Sequence, residues 1–591
     1  MLLQWILPLN RFGFSNQYFF LVLIYYSHIT MRFYFNKTIT ILEFVLIISP
    51  SLVIPFMVEA YELPKTLFIL LLLSFSLITY KFRTGTEKSN KIPGHNLSYL
   101  NLVLFGYLTL YVLSSLFSSN LSTSLLGYYG RFAGSLLFLG VTIFFLNENE
   151  KKLANWSDSR ISFILSLGSV VPVLFSYAQI LNPSVLFQTF GRVYSTFGQP
   201  NWFGGYLVIV LLIHTISYVV DRRNLSLFYF VFTLIPIFYT LSLSALLTLI
   251  LALCIFWFVP FTNKSSFRLN IILLFFILTT VLHGGSLVLR LNHQVFASDN
   301  NENSILTNDT GYIRGILAKS AFLQVVKSPK LLLIGAGPEN FAYDFKRPSS
   351  LNQTSEWSYL YDKPHNFFVE EFFETGILGL LFFTALFIFL AFNLKKNIYY
   401  ILPLALLFNS LFGWLTAYTY LLLFIFLVKF LIKQGFDRRY VSFTFRVKNF
   451  LIYDFIFVFT LIYVFSFSII KVNPCLSFKL FPYYQNFSWF CLSGNLNDEN
   501  TKTILNLNPK NRLLKESLAL KIMNKNPAKS KELLVSLLTR DYTNPIYFYY
   551  LGQLYEKQGD TAEAVKQYTL ALELKPRFLQ AQSRMLYLNT K

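Results

Sequence analysis

The chain has 591 residues, of which 54% are hydrophobic, 19% are aromatic and only 13% are charged. Soluble domains carry about a quarter charged residues and cannot hide 66 Phe and 37 Tyr in one core, so this composition excludes a soluble enzyme. The net charge of +21 indicates cationic cytoplasmic loops that face anionic membrane lipids, and not a nucleic-acid partner. With 3 Cys, a cysteine-built zinc site or a disulfide scaffold is also excluded.

Apolar runs recur from Ile41 to Ile470 and predict an all-α fold, a polytopic membrane helix bundle of about 12–13 spans within residues 31–470. Residues 1–30 form a doubtful N-terminal extension without functional weight, since Met31 is an alternative start. The predicted spans are Ile41–Ala60, Thr66–Tyr80, Tyr99–Phe117, Phe132–Leu146, Ile161–Ile180, Trp202–Val220, Leu225–Leu241, Leu243–Phe261, Leu269–Val288, Phe373–Phe392, Ile398–Thr416, Tyr418–Ile432 and Phe450–Ile470.

The positions of the cations predict the orientation, because Lys and Arg in short loops resist translocation. Alternate loops are rich in Lys and Arg, whereas the short loops of the opposite face contain only Lys65, Arg131 and Arg192. We therefore expect a multi-pass membrane protein. Its large loop, residues 289–372, and everything after the last span lie outside the cytoplasm.

Charged residues stand out in three stretches of the outer face. Arg192 lies in the loop Gly191–Asn201, at the boundary between lipid and water, where a snorkelling arginine is the simpler interpretation. Arg314 follows Asp309 and precedes an amphipathic helix, after which Gly335–Phe341 forms a glycine turn that would allow close approach to an anionic ligand.

The third stretch begins with His365 and enters the membrane. If a helix starts near Asn366, then Asn366, Glu370 and Glu374 share one of its faces. Carboxylates and a histidine at that depth are costly unless they face a polar cavity. This pattern therefore predicts a polar site at the outer surface.

The chain becomes charged and poor in Phe after residue 496. Residues Pro545–Pro576 have tetratricopeptide spacing, in which small residues let two helices pack closely, and a degenerate repeat, Asn511–Leu538, precedes them. The helix Arg577–Leu588 would cap this module, residues 497–591. It either binds a protein partner or packs on its own membrane domain.

The neck, residues 471–496, joins the last span to this module and contains Cys475 and Cys491. The positions of the cations place the neck outside the cytoplasm, where conditions are oxidising. We therefore expect these two cysteines to form a disulfide, and two buried free thiols are the alternative.

Together the three stretches resemble the bacterial O-antigen ligase/polymerase superfamily. The similarity covers roughly Tyr99–Thr416, and the pattern His-Asn followed by Glu-x-Gly-x-x-Gly is its most specific motif. The resemblance implies a GT-C-type membrane glycosyltransferase that takes a glycan from polyprenyl pyrophosphate, undecaprenyl pyrophosphate in bacteria. Many members have Ser-Arg-Gly where this chain has Leu243–Ala245, which leaves the subfamily open.

The resemblance also implies the site residues. Arg192, Arg314 and His365 match essential family positions, and Arg131 matches a further one. The neighbouring motif residues predicted to bind substrate are Asn201, Gly337, Asn340 and Asn366.

The expected chemistry needs neither a cofactor nor a metal. Arginines can stabilise the departing pyrophosphate, and His365 is a base with a pKa near neutrality. Alternatively, Glu370 or Glu374 is the base and His365 binds phosphate. The acceptor is lipid A core, a growing O-antigen repeat or a protein hydroxyl. A transporter and a membrane scaffold that displays the tetratricopeptide module are the non-enzyme alternatives.

Overall fold

The structure is a computed structural model, and it is helical over most of the chain that it describes. It describes residues 41–54, 60–72, 96–128, 134–144, 156–185, 191–259, 263–285, 310–354, 356–394, 397–433, 440–444, 450–470, 472–481, 485–492, 494, 497–507, 512–539 and 541–590. The doubtful extension 1–30 and the first part of the predicted large loop lie outside these ranges.

The membrane domain is a bundle of helices joined by short turns. Its helices are α1 (Ile41–Ile48), α2 (Tyr99–Leu116), α3 (Leu121–Leu126), α4 (Ser135–Phe144), α5 (Asp158–Leu181), α6 (Pro200–Val219), α7 (Leu225–Thr240), α8 (Leu243–Phe258), α9 (Asn263–His283), α10 (Thr310–Lys327), α11 (Pro329–Leu333), α12 (Phe341–Asp344), α13 (Phe367–Asn393), α14 (Ile401–Ser410), α15 (Ala417–Lys433) and α16 (Phe450–Ile469). Residues 62–72 are helical as well.

Within the described residues, α5, α6, α9 and α13 are long and apolar enough to cross a membrane, and several shorter helices are also apolar. Outer helices expose large apolar side chains, such as Leu274, Ile277 and Val281 on α9. A contiguous apolar surface of this kind requires lipid as its solvent. The predicted all-α membrane bundle is therefore confirmed.

Helix α6 lies at the centre of the bundle. Every residue from Phe203 to Val219 is buried, and α5, α7, α8, α9 and α14 pack around it. A helix that is apolar on all sides belongs in the interior of a bundle, where each of its faces contacts protein. Because the surrounding helices hold α6 in place, the start of α6 and the loop that precedes it are held in place as well.

Two predicted spans differ from the observed helices in their bounds, and a predicted break between two spans agrees with them. Helix α1 ends at Ile48 because Pro50 starts a 3-10 turn, so the predicted continuation to Ala60 is wrong. Helix α13 starts at Phe367, earlier than predicted, and bends at Gly376, whose φ is 75°. The predicted split of Leu225–Phe261 into two helices is confirmed.

The described part of the predicted large loop forms a small helical subdomain from α10, α11, α12 and a 3-10 turn, Ser349–Gln353. Its core includes Ile313, Leu317, Phe341 and Phe345, which pack against the start of α13. Residues 286–309 lie outside the described ranges. The subdomain therefore rests directly on the helix that follows His365.

Two short strands are present beside the helices. Strand β1 (Asn96–Ser98) pairs antiparallel with β2 (Tyr440–Thr444), the segment that precedes α16. This pairing joins the residues before α2 to those before α16 and leaves the helical class of the fold unchanged.

The C-terminal part is helical throughout its described residues. The neck contains α17 (Pro474–Leu480) and α18 (Gln485–Leu492), and Cys475 and Cys491 are bonded there with a Cα–Cα distance of 4.4 Å. The remaining helices are α19 (Asp498–Leu507), α20 (Arg512–Ile522), α21 (Pro527–Leu538), α22 (Pro545–Lys557), α23 (Thr561–Leu574) and α24 (Leu579–Asn589). Consecutive helices pack in pairs, and Gly552 leaves room for the Tyr568 ring.

Candidate functional site

The loop Gly191–Asn201 is held between two helices. The side-chain oxygen of Gln179 on α5 accepts hydrogen bonds from the backbone N–H groups of Tyr194 at 3.2 Å and Ser195 at 2.7 Å. At the other end, the side chain of Gln199 caps the first turn of α6. Because both ends are tied down, the loop presents its polar side chains in fixed directions.

Arg192 uses this fixed loop to join two helix ends. Its Nε donates to the carbonyl oxygen of Thr240 at 3.0 Å, at the end of α7, and its Nη2 donates to Oδ1 of Asn201 at 3.1 Å. A second carbonyl of the same turn, that of Leu241, lies 3.5 Å from Nη2. These hydrogen bonds hold the Arg192 guanidinium in direct contact with the side chain of Asn201.

A cleft lies between the ends of several helices. It is bordered by the starts of α6 and α8, by α10, by His365 shortly before α13, and by the end of α14. It holds about 280 Å³ of empty space, part of it open to solvent. Its lining residues are Gln199, Asn201, Trp202, Ser244, Arg314, His365, Asn409, Phe412, Gly413 and Trp414. The cleft thus brings the second and third predicted stretches together, with Asn201 from the first.

His365 reaches the cleft from a strained backbone position. Its φ is 57°, in the left-handed region that is uncommon for residues other than glycine. The next residue, Asn366, caps α13 by accepting a hydrogen bond from the N–H of Val369 at 3.1 Å. The ring of His365 lies against that of Trp414, with 5.0 Å between the centroids. Backbone conformation, helix cap and ring contact together set the direction of the imidazole.

Arg314 enters the same cleft from the first turn of α10. Its Nη1 donates to the carbonyl oxygen of Phe412 at 3.3 Å. Burial lowers the pKa of Arg314, and the nearby carboxylate of Glu356 raises it. A guanidinium stays charged at neutral pH under such shifts. The cleft therefore contains a fixed positive charge beside an imidazole.

Behind His365 lies a buried charge cluster, which consists of Lys363, Glu339, Glu370 and Glu374. Lys363 Nζ is 2.9 Å from a carboxylate oxygen of Glu339, 3.2 Å from one of Glu374, and also pairs with Glu370. Burial by itself lowers the pKa of Lys363, but the three carboxylates outweigh it and hold that pKa well above its usual range. The cluster ties the glycine-turn stretch to the first turns of α13.

This cluster places Glu370 and Glu374 away from the reaction space. Both side chains are 2–3% exposed, and neither lines the cleft. The predicted alternative, in which Glu370 or Glu374 is the base, requires a carboxylate in the cleft. In this structure both residues lie in the buried charge cluster, and their predicted role as the base stays a prediction.

The glycine turn, Gly335–Phe341, packs against α13 and α3. The N–H of Gly337 donates to the carbonyl oxygen of Glu374 at 2.9 Å, and a side chain on Gly335, whose φ is 81°, would overlap that same oxygen. Asn340 is buried and donates to Oγ of Ser124 on α3 at 2.5 Å. The close approach that these glycines permit is made to α13 and α3, and substrate binding by Gly337 and Asn340 stays a prediction.

Of the other predicted residues, Asn366 acts as a helix cap, and Arg131 lies outside the described residues. The backbone N–H of Tyr128, which shortly precedes Arg131, donates to a carboxylate oxygen of Glu339 at 3.1 Å. The chain that leads to Arg131 is thus anchored on the buried charge cluster.

The sequence analysis missed Trp202, Asn409 and Trp414. The rings of Trp202 and Trp414 are in edge contact, with centroids 5.8 Å apart. The Oδ1 atom of Asn409 is buried and has no hydrogen-bond partner among the described residues. Two features of the sequence could have indicated these residues: the amide of Asn409 lies inside an apolar helix, and Trp414 directly follows a glycine.

The described residues contain no group of three His, Cys, Asp or Glu side chains arranged to hold a metal ion. The cations that the structure brings to the cleft and its edge are the guanidinium groups of Arg314 and Arg192.

Comparisons with known proteins identify two families that parts of the chain match. Residues 228–384 match the family model described as O-antigen ligase, and residues 545–578 match that of the tetratricopeptide repeat. Neither a curated protein nor a solved structure matches the chain significantly. The resemblance drawn from the motifs is confirmed, and the family supports glycan transfer in lipopolysaccharide assembly.

Proposed function

We propose that this protein transfers a glycan from polyprenyl pyrophosphate to an acceptor hydroxyl at the periplasmic face of the inner membrane. The observation that carries the proposal is the cleft in which Arg314, His365 and Asn201 meet, with Arg192 hydrogen-bonded to Asn201. A base beside fixed cations is the arrangement that this substitution requires.

In the proposed step, the oxygen of the acceptor hydroxyl attacks the anomeric carbon of the first sugar. The new C–O bond forms as the bond between that carbon and the pyrophosphate oxygen breaks. His365 takes the hydroxyl proton, and polyprenyl pyrophosphate leaves with the electron pair of the broken bond. Arg314 and Arg192 stabilise the negative charge that develops on the departing oxygens, a role for which the planar guanidinium is suited. No metal is needed in this scheme.

We take the hydroxyl of a lipid A core as the acceptor. Polymerisation of O-antigen units and transfer to a protein hydroxyl use the same chemistry. A deletion strain separates them: ligation predicts lipopolysaccharide with a bare core, polymerisation predicts a core with a single unit, and protein transfer predicts loss of a glycoprotein with normal lipopolysaccharide. The second and third results would replace the lipid A acceptor.

A transporter and a scaffold remain the alternatives of another class. The glycosyltransferase gives a role to an imidazole held at a φ of 57° in a cleft beside a half-buried arginine, whereas a scaffold needs no such arrangement. Strain of this kind is typical of active sites and ligand clamps.

The decisive test measures transfer by purified enzyme with a lipid-linked glycan and a core acceptor. We expect His365→Ala to lower kcat about 10²–10⁴-fold, since that is the usual contribution of a general base. The matched control is His283→Ala, because His283 contacts Tyr239 at the end of α9 and does not line the cleft. Wild-type transfer by a correctly inserted His365→Ala protein would contradict the proposal.

A further inference from the structure

The tetratricopeptide module binds a segment of the chain's own polar subdomain. This docking segment comprises residues 345–361, all described except residue 355. Thr543 Oγ1 donates to the carbonyl oxygen of Arg347 at 2.9 Å, and Asn352 Nδ2 donates to the carbonyl oxygen of Thr543 at 2.8 Å. Lys575 Nζ donates to the carbonyl oxygen of Asn352 at 2.7 Å. Both Thr543 and Lys575 lie at ends of the helices that match the repeat.

A tryptophan of the docking segment fills an aromatic pocket of the module. The Trp357 ring lies against Phe578, with centroids 4.7 Å apart, and Lys575 Nζ is 4.8 Å from the Trp357 ring centroid. The core of the module behind Phe578 includes Tyr568 and Ala571. Arg347 also donates to the carbonyl oxygen of Trp357 at 2.6 Å, so its guanidinium holds the backbone of Trp357 in place.

The preceding helix pair holds the start of the segment. Arg512 donates to the carbonyl oxygen of Phe345 at 2.8 Å and lies 3.9 Å from the Asp541 carboxylate. Arg347, Arg512 and Asp541 are buried at this interface. Buried charged groups are costly unless they are paired and hydrogen-bonded, and both arginines gain a carbonyl partner across the interface: Arg512 gains that of Phe345 and Arg347 that of Thr543.

The other face of the docking segment reaches the candidate site. Phe345 and Tyr361 pack in the core that includes Ile313, the neighbour of Arg314. The carboxylate of Glu356 is near enough to raise the pKa of Arg314. The carbonyl oxygen of Glu356 accepts a hydrogen bond from the hydroxyl of Tyr361 at 3.1 Å. Immediately beyond Tyr361 the chain enters the buried charge cluster and reaches His365. The segment therefore contacts the module on one side, and on the other it shares a core with the neighbour of Arg314 and leads along the chain to His365.

We propose that the ligand of the tetratricopeptide module is this docking segment, and that Arg347, Asn352 and Trp357 are positioning residues that hold Arg314 and His365 in working geometry. The module then acts on transfer from within the chain. This inference rests on the proposed function.

The physical reason is the sensitivity of catalysis to small displacements. A misplacement of about 1 Å costs on the order of 10²-fold in rate. Without the Trp357 ring and the Asn352 side chain, the docking segment loses its aromatic contact with Phe578 and its side-chain hydrogen bond to Thr543. Glu356 and Tyr361 then lose the restraint that orients them toward Arg314 and the residues before His365.

The test measures kcat and KM for transfer by the full-length chain carrying Trp357→Ala together with Asn352→Ala. We expect kcat to fall at least tenfold with KM within about twofold, because substrate-contacting groups remain while their geometry loosens. Trp357→Phe should restore most of the activity. Tyr359→Ala is the matched control, since Tyr359 lies in the same segment and is 65% exposed.

The module side is tested by Lys575→Ala, with Lys566→Ala as control because Lys566 makes only a surface pair with Glu563. Limited proteolysis should cleave the docking segment faster in Lys575→Ala than in the control, while membrane insertion and the neck disulfide are unchanged. Wild-type kcat in the double variant, or activity lost only in cells and not in the purified protein, would overturn the inference and indicate an external partner. Full activity of His365→Ala would instead overturn the proposed function.

Discussion

Asn409 is an unexpected polar residue in the cleft. Its Oδ1 atom is buried and lacks a hydrogen-bond partner within the described residues, although its side chain lines the cleft. A buried acceptor without a partner costs about 1–3 kcal/mol, which a bound hydroxyl would recover. Beside it, Trp414 offers an apolar ring face with a polar edge, a surface suited to sugars. Asn409 and Trp414 therefore form a candidate saccharide-binding wall.

We predict that Asn409→Ala lowers kcat/KM for glycan transfer about tenfold or more, because the substrate hydroxyl loses its acceptor. Steady-state kinetics with a lipid-linked glycan measure this effect. Asn393→Ala is the control, since Asn393 lies at the far end of α13 and bonds to Phe389 within that helix. Equal kinetic constants for the two variants would exclude Asn409 from the binding wall.

The arginines give a second prediction. We expect Arg192→Lys and Arg314→Lys to lose at least about 10²-fold in kcat, because an ammonium cannot reproduce the forked contacts of a guanidinium. Arg268→Lys on α9, away from the cleft, is the control. Transfer should also survive EDTA. If EDTA stops the purified enzyme and Mg²⁺ restores it, a metal performs the role given to the arginines.

The buried charge cluster gives a prediction on stability. Lys363→Met leaves three buried carboxylates without their cation, which should destabilise the fold by about 3–5 kcal/mol. The raised pKa of Lys363 means that its contribution is complete below the ordinary lysine pKa and is lost only as pH rises through the raised value. The contribution of Lys363 is therefore complete at pH 7, where thermal unfolding of the variant measures its loss.

Lys529→Met is the matched control for that measurement. Lys529 forms an exposed pair with Glu532, and such pairs contribute about 0–1 kcal/mol. If Lys363→Met unfolds at the temperature of this control, the cluster does not support the fold.

At the scale of elements, the contact between the glycine turn and α13 decides where the site is built. Gly335 has a φ of 81° and lies against the carbonyl of Glu374, and Gly376 bends α13 at the same place. The turn thus hydrogen-bonds to the helix whose first residues carry the charge cluster. A change in this contact moves the start of α13 and, with it, His365.

We predict that Gly335→Ala destabilises the protein by about 1–3 kcal/mol, because its side chain would overlap the Glu374 carbonyl in a strained backbone region. Thermal unfolding in detergent measures this change. Gly315→Ala in α10 is the control: no atom lies within 4 Å of the added methyl group, and replacing glycine inside a helix by alanine favours folding. A Gly335→Ala protein as stable as this control would show that the turn tolerates a side chain.

At the scale of the whole molecule, the neck determines how the C-terminal module reaches the membrane domain. The structure pairs Cys475 with Cys491, and Phe481 between them packs against Tyr463 of the last membrane helix. A covalent closure at this place limits the angles that the module can adopt. It therefore supports the docking of the module on the segment 345–361.

We predict that mass spectrometry of the unreduced protein finds Cys475 and Cys491 bonded and Cys254 free. The bond closes a loop of sequence separation 16, which corresponds to about 3 kcal/mol in the chain-entropy model. Cys475→Ser with Cys491→Ser should lower thermal stability accordingly, whereas Cys254→Ser should not. Free thiols at both neck positions would refute the bond, and labelling only from the cytoplasm would overturn the predicted orientation.

The sequence by itself determined the class of the protein and pointed to its candidate site residues. Hydrophobic composition requires a bilayer whatever the details of packing, and the small-residue spacing of Pro545–Pro576 is a local property. The motif residues Arg314 and His365 also stood out, because a charge or an imidazole is costly at a membrane boundary.

Only the tertiary structure decided which residues share a site. Asn409 and Trp414 carry no motif, and their role follows from the end of α14 meeting the start of α6. Lys363 pairs with Glu370 in the buried charge cluster, and Lys575 meets Asn352 at a sequence separation of 223. Contacts between distant segments arise from packing of whole helices, which local spacing does not encode. The chemistry was therefore readable from residue types, and its geometry only from the fold.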